Sequence, residues 1–410
     1  MHVLIKENIL PDLISYLDQS GNPAIFIVAD RNTFAAQGAV VEQTLRNAGY
    51  DVRTAILQGT EIAADADAVL EIMLNVDRRE RCFLAVGAGT ITDLTRFTSH
   101  RCRSRFLCMP TAPSVDGFTS HGAPLIVEGL KKTIYCHAPE AIFADLSTLC
   151  AAPRRMIASG FGDLLGKLVS RADWELGCVL WDEAFDEAIS KRVTLAVQHC
   201  LERLEAIAAA GPTGVKTLME GLVETGFCMR DFGNSIPASG AEHHLSHYWE
   251  LTLLWNRRPA ALHGLKVGLG AIIASGWYDQ IRQMSVDDVR RLLEQAPQPD
   301  YEAIVKEIRQ AYPFGAEDII REQDAFIRMD KERFSELKER VLSRWDEVRR
   351  IAATVPESRK MKDWLAHVGA ATSGEELNLT AEEVERGARY GHYIRNAFTV
   401  NKLRQLLKIK

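Results

Sequence analysis

The first 110 residues alternate short apolar segments with longer segments of helical period, and this alternation constrains the fold more than any other feature of the chain. Helices are predicted at residues 33–48, which end at Gly49, and at residues 63–75. Short buried strands are predicted at residues 24–30, 52–57, 82–87 and 105–110. Strands joined by helices of this length are typical of a parallel sheet with crossover helices.

The sequence pattern changes after this alternation of strands and helices. Residues 111–124 are loop-like, and residues 125–138 and 141–145 are typical of short strands that could include a hairpin. Beyond Cys150 almost every segment has a helical period. A chain of 410 residues is too long for one ordinary core. We therefore expect an α/β Rossmann-like domain at residues 1–150 and an all-α domain at residues 151–410.

Composition excludes several classes of protein. The formal net charge of −6 argues against a nucleic-acid partner, which would require a clustered basic excess. The eight cysteines show no CxxC spacing, and several lie inside apolar runs, as buried thiols do in a reducing compartment. The first residues lack the apolar core of a signal peptide, and no apolar run is long enough to cross a bilayer. We expect a soluble cytoplasmic protein.

A glycine turn follows the third predicted strand. Gly87 and Gly89 precede a predicted helix, and backbone amides at such a helix start favour a phosphate group. The turn lacks the third glycine of the dinucleotide fingerprint, so taken alone it is better explained as a plain tight turn. Asp30, at the end of the first predicted strand, lies where a ribose hydroxyl is often bound, although it could equally cap a helix that begins near Thr33.

Polar side chains also follow the fourth predicted strand. Two prolines stiffen residues 110–118, which carry the hydroxyls of Thr111 and Ser114 and the carboxylate of Asp116. The loop should lie at the carboxyl edge of the sheet, where open α/β sheets bind their ligands.

Histidines concentrate in residues 239–266. His243 and His247 are four residues apart and would share one face of a helix, and His263 follows a second helical segment. Converging imidazoles can form a metal site, but an ordinary helix-packing pair explains the same spacing. Asp163, flanked by glycines, could supply a carboxylate ligand or could cap a helix.

Five motifs occur together in a recognisable order: GAGTITD, PTAPSVDGF, SGFGDLLGK, GAEHHLSH and ALHGLKVG. In this combination the chain resembles the sn-glycerol-1-phosphate dehydrogenase family, specifically its bacterial AraM-like branch. The larger group includes iron-containing alcohol dehydrogenases, glycerol dehydrogenase and dehydroquinate synthase. The resemblance covers most of the chain and extends to YIRNAFTVNKL near its end.

The resemblance implies a dehydroquinate synthase-like fold, with a nucleotide-binding domain, a helical domain and an active site in the cleft between them. It implies a divalent metal held by Asp163, His243 and His263, where the HxxxH spacing favours His243 over its neighbour His244. Asp116 and His247 match residues that contact the substrate and would act in catalysis. Residues that match contacts to NAD are Gly89, Thr90, Thr92, Asp93, Ser120 and the loop from Thr111 to Ser114.

The implied reaction is the interconversion of dihydroxyacetone phosphate and sn-glycerol 1-phosphate, a step of glycerophospholipid metabolism, with NAD or NADP as cofactor. Imidazole-rich ligation suits Zn, Ni or Fe(II) better than Mg or Ca. Asp30 would repel a 2′-phosphate and favour NAD if it binds the ribose. Oxidation of glycerol or another small polyol, and a dehydroquinate synthase-like cyclisation, are alternative reactions on the same scaffold. Family members often form homodimers, and we expect the same here.

Overall fold

A computed structural model describes residues 1–59 and 61–409. Position 60, inside the first predicted domain, and position 410, at the end of the second, lie outside the described residues. The chain divides into two compact units. The first comprises Met1–Phe161 and His199–Arg230, and the second comprises Gly162–Gln198 and Asp231–Lys410.

The first unit contains the strands. Within the described residues they are β1 (His2–Lys6), β2 (Ile25–Asp30), β3 (Val52–Leu57), β4 (Cys82–Gly87), β5 (Phe106–Pro110), β6 (Gly122–Val127), β7 (Leu130–Tyr135) and β8 (Ala141–Asp145). Six of them form a parallel sheet in the order β1-β8-β5-β4-β2-β3, and β6 and β7 form an antiparallel hairpin. The four predicted strands are confirmed as β2 to β5. Strand β1 was not predicted, because its exposed ends leave it without a clear apolar pattern.

Helices account for most of the remaining structure. In order along the chain they are α1 (Leu10–Gln19), α2 (Arg31–Thr33), α3 (Ala39–Asn47), α4 (Ala66–Asn75), α5 (Gly89–Arg101), α6 (Leu146–Cys150), α7 (Arg154–Trp181), α8 (Glu187–Leu201), α9 (Leu204–Ala208), α10 (Pro212–Phe232), α11 (Ala241–Trp255), α12 (His263–Gln283), α13 (Val286–Gln295), α14 (Tyr301–Ala311), α15 (Ala316–Glu322), α16 (Asp324–Ile327), α17 (Lys331–Ser343), α18 (Trp345–Ala353), α19 (Ser358–His367), α20 (Ala381–Tyr390) and α21 (Val400–Leu407). A π-helical turn at Phe34–Gly38 joins α2 to α3, and short 3-10 turns lie at Gly117–Thr119, Ile236–Ala238, Glu375–Leu377 and Gly391–Tyr393.

Local chemistry sets the helix ends near the sheet. Gly49 follows α3 with a φ of +88°, the left-handed conformation expected of a residue just beyond a helix. Helix α4 begins three residues later than predicted, because the Asp65 carboxylate accepts a hydrogen bond from Ala68 N at 3.0 Å and caps the helix there.

The sheet brings three strand ends to one level. Gly87 at the end of β4 is paired with Pro110 at the end of β5. The register of β2 against β4 pairs Val28 with Ala85, which places Asp30 level with Gly87. From β2 the chain leads to β3 on one side, and from β4 it leads to β5 on the other. Loops that leave neighbouring strands in opposite directions form the crevice in which open α/β sheets bind ligands.

The second unit is all-helical within its described residues, as expected for the chain beyond Cys150. Helices α11 and α12 pack against each other at its centre, and Trp249 and Tyr278 on these helices are buried. Helices α18, α19 and α21 surround α12, and α20 packs on α11. Both α11 and α12 carry buried polar side chains, which an ordinary apolar core would exclude unless they were paired. In the part of the chain that the structure describes, no helix is long and apolar enough to span a membrane.

Candidate metal centre and nucleotide-binding turn

Three side chains on different helices of the second unit converge on one point. One ligand atom from each of Asp163, His243 and His263 lies within 4.8 Å of the other two. His243 Nε2 is 3.4 Å from Asp163 Oδ1, and the ring centroids of His243 and His263 are 5.2 Å apart. Two ligands held at about 2.1 Å from one ion, at a tetrahedral angle, lie about 3.4 Å from each other. One carboxylate and two imidazoles with this spacing fit a divalent transition metal.

The helices place these side chains in different ways. Asp163 lies well inside α7, so the interpretation of this residue as a helix cap is wrong. His243 is in the first turn of α11, and His263 is the first residue of α12. A side chain at position 162 would place its Cβ 2.4 Å from Gly264 O, so Gly162 permits the contact that brings Asp163 to the start of α12.

Glu242 orients one of the imidazoles. Its buried carboxylate accepts a hydrogen bond from His243 Nδ1 at 2.6 Å and another from Gly240 N at 3.0 Å. Because Nδ1 donates to Glu242, a neutral His243 ring would carry its lone pair on Nε2, the nitrogen that is 3.4 Å from Asp163. A carboxylate behind the histidine is a common support for a metal ligand. Sequence reasoning missed Glu242, because an acidic residue beside a histidine carries no signal of its own.

Lys167 is a second charged residue that sequence reasoning missed. Its fully buried ammonium donates to Asp163 Oδ1 at 2.7 Å and to Ala238 O at 3.0 Å, and it lies 3.5 Å from His243 Nε2. Burial acts to raise the pKa of Asp163, but Lys167 and the two imidazoles hold that pKa well below its ordinary value. The carboxylate is therefore ionised, as a metal ligand must be.

His247 lies beside the cluster, within reach of Glu250. Its Nδ1 is 3.4 Å from Glu250 Oε2, and its ring is 5.5 Å from that of His263. His247, Glu250 and His263 form a second group whose ligand atoms lie within 4.8 Å of one another, but all three are only half-buried. Lys266 Nζ is 3.6 Å from Glu250 and already balances its charge. His244, the alternative ligand, belongs to neither group found among the described residues.

In the first unit the glycine turn leaves no room for side chains. A Cβ at position 87 would lie 2.5 Å from Ile91 Cβ, and one at position 89 would lie 2.9 Å from Val115 Cγ2. Ala88 precedes α5 without a side-chain cap, so backbone N–H groups are the polar groups presented at this helix start. The turn has the character of an anion site, with close backbone approach and the positive end of the helix dipole.

Arg96 supports the loop that follows β5. Its guanidinium is buried and donates to the carbonyls of Gly117, Phe118 and Gly122 at 2.7, 3.1 and 2.9 Å. It also pairs with Asp93, whose pKa burial raises to about 6 although Arg96 acts to lower it. Sequence reasoning assigned Asp93 to the cofactor but overlooked Arg96, one turn further along the same helix.

The remaining predicted cofactor residues lie around this turn. Thr111 N donates to Gly87 O at 3.2 Å, which ties the loop after β5 to the end of β4. Thr90, in the first turn of α5, is partly exposed. Thr92 is buried, and its hydroxyl lies 3.5 Å from Cys108 Sγ.

The loop itself is well anchored. Ser114 is buried, and its carbonyl accepts a hydrogen bond from the Ser159 hydroxyl at 3.1 Å. Ser120 Oγ donates to Gly122 O and accepts from Gly122 N. Asp116 is 9% exposed. The loop thus holds a nearly buried carboxylate in a fixed position.

Asp30 forms the helix cap considered from the sequence. Its Oδ1 accepts from Asn32 N at 2.8 Å and from Thr33 N at 2.9 Å, and Thr33 completes a capping box. Among the described residues both bonds use Oδ1, so the cap does not engage Oδ2 and does not exclude a ribose contact.

Comparison with known proteins yields one family and one fold. The family model described as iron-containing alcohol dehydrogenase matches residues 4–153. The chain is 35% identical over 392 residues to a protein of Geobacillus stearothermophilus named glycerol-1-phosphate dehydrogenase (NAD(P)+), an alignment that covers 95% of this chain and 88% of the relative.

Solved structures share the fold at low sequence identity. The crystal structure of a probable glycerol dehydrogenase from Sinorhizobium meliloti 1021 matches with a TM-score of 0.64 and 15% identity, and covers 99% of this chain and 95% of that chain. A 2-deoxy-scyllo-inosose synthase solved with carbaglucose-6-phosphate, NAD+ and Co2+ matches with a TM-score of 0.52 and 16% identity, over 82% and 85% of the two chains. These likenesses confirm the predicted fold class, an α/β part followed by an all-α part.

Proposed function

The chain belongs to the glycerol-1-phosphate dehydrogenase family, and on that premise we propose that it interconverts dihydroxyacetone phosphate and sn-glycerol 1-phosphate with an NAD(P) cofactor. In the reducing direction the ketone carbon accepts a hydride and its oxygen accepts a proton. The observation that carries the proposal is the cluster of Asp163, His243 and His263, because its donor set and spacing suit a Lewis-acidic ion.

Asp163, His243 and His263 would hold one divalent transition metal, with Zn, Ni and Fe as the candidates. When bound, the ion would polarise the carbonyl and a nicotinamide would exchange the hydride. The chain's own contribution is to fix the ligands: Glu242 holds the His243 ring through Nδ1, and Lys167 holds the Asp163 carboxylate.

Asp116 and His247 are the proposed catalytic groups. Glu250 lies 3.4 Å from His247 Nδ1 and fixes the orientation of that ring, so His247 could bind a substrate hydroxyl and pass on its proton. Asp116, nearly buried in the loop after β5, is proposed to bind the substrate.

The nucleotide is proposed to bind at the carboxyl edge of the parallel sheet. The glycine turn would accept its phosphates, and Asp30, through Oδ2, would contact the ribose and favour NAD over NADP. The residues proposed to contact the cofactor are Asp30, Gly87, Gly89, Thr90, Thr92, Asp93, Thr111, Ser114 and Ser120. We retain residues 1–150 as the proposed nucleotide-binding domain and residues 151–410 as the proposed metal- and substrate-binding domain.

One experiment tests the proposal directly. The purified protein is stripped of metal with a chelator, and NADH oxidation with dihydroxyacetone phosphate is followed after Zn, Ni or Fe(II) is restored singly. We expect no turnover by the stripped protein and recovery with at least one of the three ions. Turnover unaffected by chelation, with metal removal verified, would contradict the proposal.

The same assay separates the alternative reactions. Oxidation of glycerol or another small polyol with NAD+, in the absence of turnover on the phosphorylated substrates, would indicate a polyol dehydrogenase. A cyclase of the dehydroquinate synthase type would consume its substrate and leave the NADH absorbance unchanged overall.

The cellular setting is also proposed. All eight cysteines are free thiols, which supports a cytoplasmic location. A small phosphorylated metabolite is the expected partner, and the net charge of −6 argues against a nucleic acid. We propose a homodimer in solution, which light scattering of the purified protein would test.

A further inference from the structure

Lys167 contacts two of the three proposed metal ligands. Its ammonium is 2.7 Å from Asp163 Oδ1 and 3.5 Å from His243 Nε2. The contact follows from the helix, since residues four apart on α7 share one face. A hydrogen bond to Ala238 O at 3.0 Å fixes the ammonium in place. A divalent ion held by the same ligands would therefore share one carboxylate with a fixed positive charge.

We propose that Lys167 is a built-in counter-cation of the metal site, which stabilises the ligand cluster when no ion is bound and lowers the affinity of the cluster for the ion. The inference rests on the proposed function, because it takes Asp163 and His243 as ligands. A buried carboxylate is costly unless a cation pairs with it, and Lys167 supplies that cation. The same charge repels a second cation at the same carboxylate.

Lys167 also limits what the protein contributes to the ion. A protonated amine has no lone pair, so this position adds no fourth protein ligand. Coordination positions would remain for substrate oxygens, as catalytic metal sites require. A weaker and incompletely coordinated site is the expected result.

The test is Lys167→Met, which keeps an unbranched side chain only one atom shorter and removes the charge. Zn2+ affinity is measured by competition with a chromophoric chelator, and thermal unfolding is followed with and without saturating Zn2+. We expect the variant to bind Zn2+ at least about tenfold more tightly than the wild type. We also expect a loss of stability in the metal-free protein that is smaller in the Zn2+ form. By linkage, a tenfold change in affinity corresponds to about 1.4 kcal/mol between the two stability differences.

Two further variants make the result specific. Lys402 is another buried lysine of the second unit, and its ammonium donates to Asn396 O at 3.0 Å. Lys402→Met should change the stability of the metal-free and Zn2+ forms alike and leave Zn2+ affinity unchanged. Lys167→Gln retains a donor for Asp163 and Ala238 without the charge, and it should also bind Zn2+ more tightly, even if the Met variant does not fold.

The outcomes divide cleanly. Unchanged or weaker Zn2+ binding by Lys167→Gln, or equal losses of stability with and without Zn2+, would overturn the role of Lys167. A Met variant that folds only when Zn2+ is present would support it. A wild-type protein that binds no stoichiometric Zn2+, Ni2+ or Fe2+ would overturn the proposed metal site itself.

Discussion

The two proposed sites use different chemical groups: backbone N–H groups in one and side chains in the other. The nucleotide turn of the first unit presents backbone N–H groups, and its main requirement is that Gly87 and Gly89 carry no side chain. The metal cluster of the second unit consists of charged and imidazole side chains, in which the buried Asp163 is paired with Lys167 and the buried His243 with Glu242. The difference predicts that substitutions at the turn reduce activity by degrees. In the cluster, loss of one partner leaves a buried charge unpaired, so a substitution there should abolish activity.

The largest effect is expected from His263→Ala. Loss of a ligand should lower kcat/KM for dihydroxyacetone phosphate by about 10³-fold or more, because the ion stabilises the charge that develops on the substrate oxygen. Circular dichroism should show a retained fold. The control is His367→Ala at the exposed end of α19, which should leave the rate within about twofold. A His263→Ala enzyme as active as the control would remove the cluster from the chemistry.

His247→Ala should separate proton handling from metal binding. We expect bound metal at the wild-type level and a turnover lower by about 10² to 10⁴, the usual range for loss of a general acid or base. Metal analysis and steady-state kinetics on the same preparation provide both values. Loss of metal from this variant would show that the second group, with Glu250, contains the true ligand.

In the first unit the largest effect is expected from Arg96→Met. The change leaves the buried carbonyl of Phe118 and the partly buried carbonyls of Gly117 and Gly122 without their donor, at a cost of about 3 kcal/mol in the free energy of unfolding. The KM for NADH should rise because the loop loses its anchor. Arg101→Met, on the exposed end of the same helix, should stay within about 0.5 kcal/mol of the wild type. Equal stability of the two variants would show that Arg96 does not hold the loop.

The smallest effect is expected from Gly89→Ala. The new methyl group would lie 2.9 Å from Val115 Cγ2, so Val115 or the turn must shift slightly. We expect the KM for NADH to rise about tenfold, equivalent to about 1.4 kcal/mol, with metal content unchanged. Gly117→Ala is the matched control, because a Cβ there has open space, and its KM should stay near the wild type. No change in the KM of Gly89→Ala would exclude close backbone contact with the nucleotide.

Much of the first unit follows from the sequence. The apolar segments of β2, β4 and β5 are buried along almost their whole length, and such strands are read directly from composition. That Asp30, Gly87 and Pro110 share one level was not predicted, because strand order is a property of the assembled sheet. The edge strand β1 was missed because its exposed ends leave no clear apolar pattern, and its one neighbour in the sheet, β8, lies far along the chain at residues 141–145.

In the second unit, local sequence patterns did not predict which distant residues meet. The HxxxH spacing placed His243 and His247 on one helix, but only the packing of α7 and α12 brings Asp163 and His263 to them. Lys167 and Glu242 could not be assigned from sequence, since a charged residue on a helix is ordinarily exposed and only its burial beside a ligand reveals the pairing. The resemblance to a family named the proposed ligands, and geometry added the groups that support them.

The metal content of three purified proteins tests the central claim most directly. The wild type, Asp163→Asn and His263→Ala are each loaded with Zn2+, dialysed against metal-free buffer and analysed by mass spectrometry for zinc per chain. Three ligands that share one ion predict about one zinc per wild-type chain and close to none in either variant, with both variants folded. Equal zinc in all three folded proteins would contradict the account.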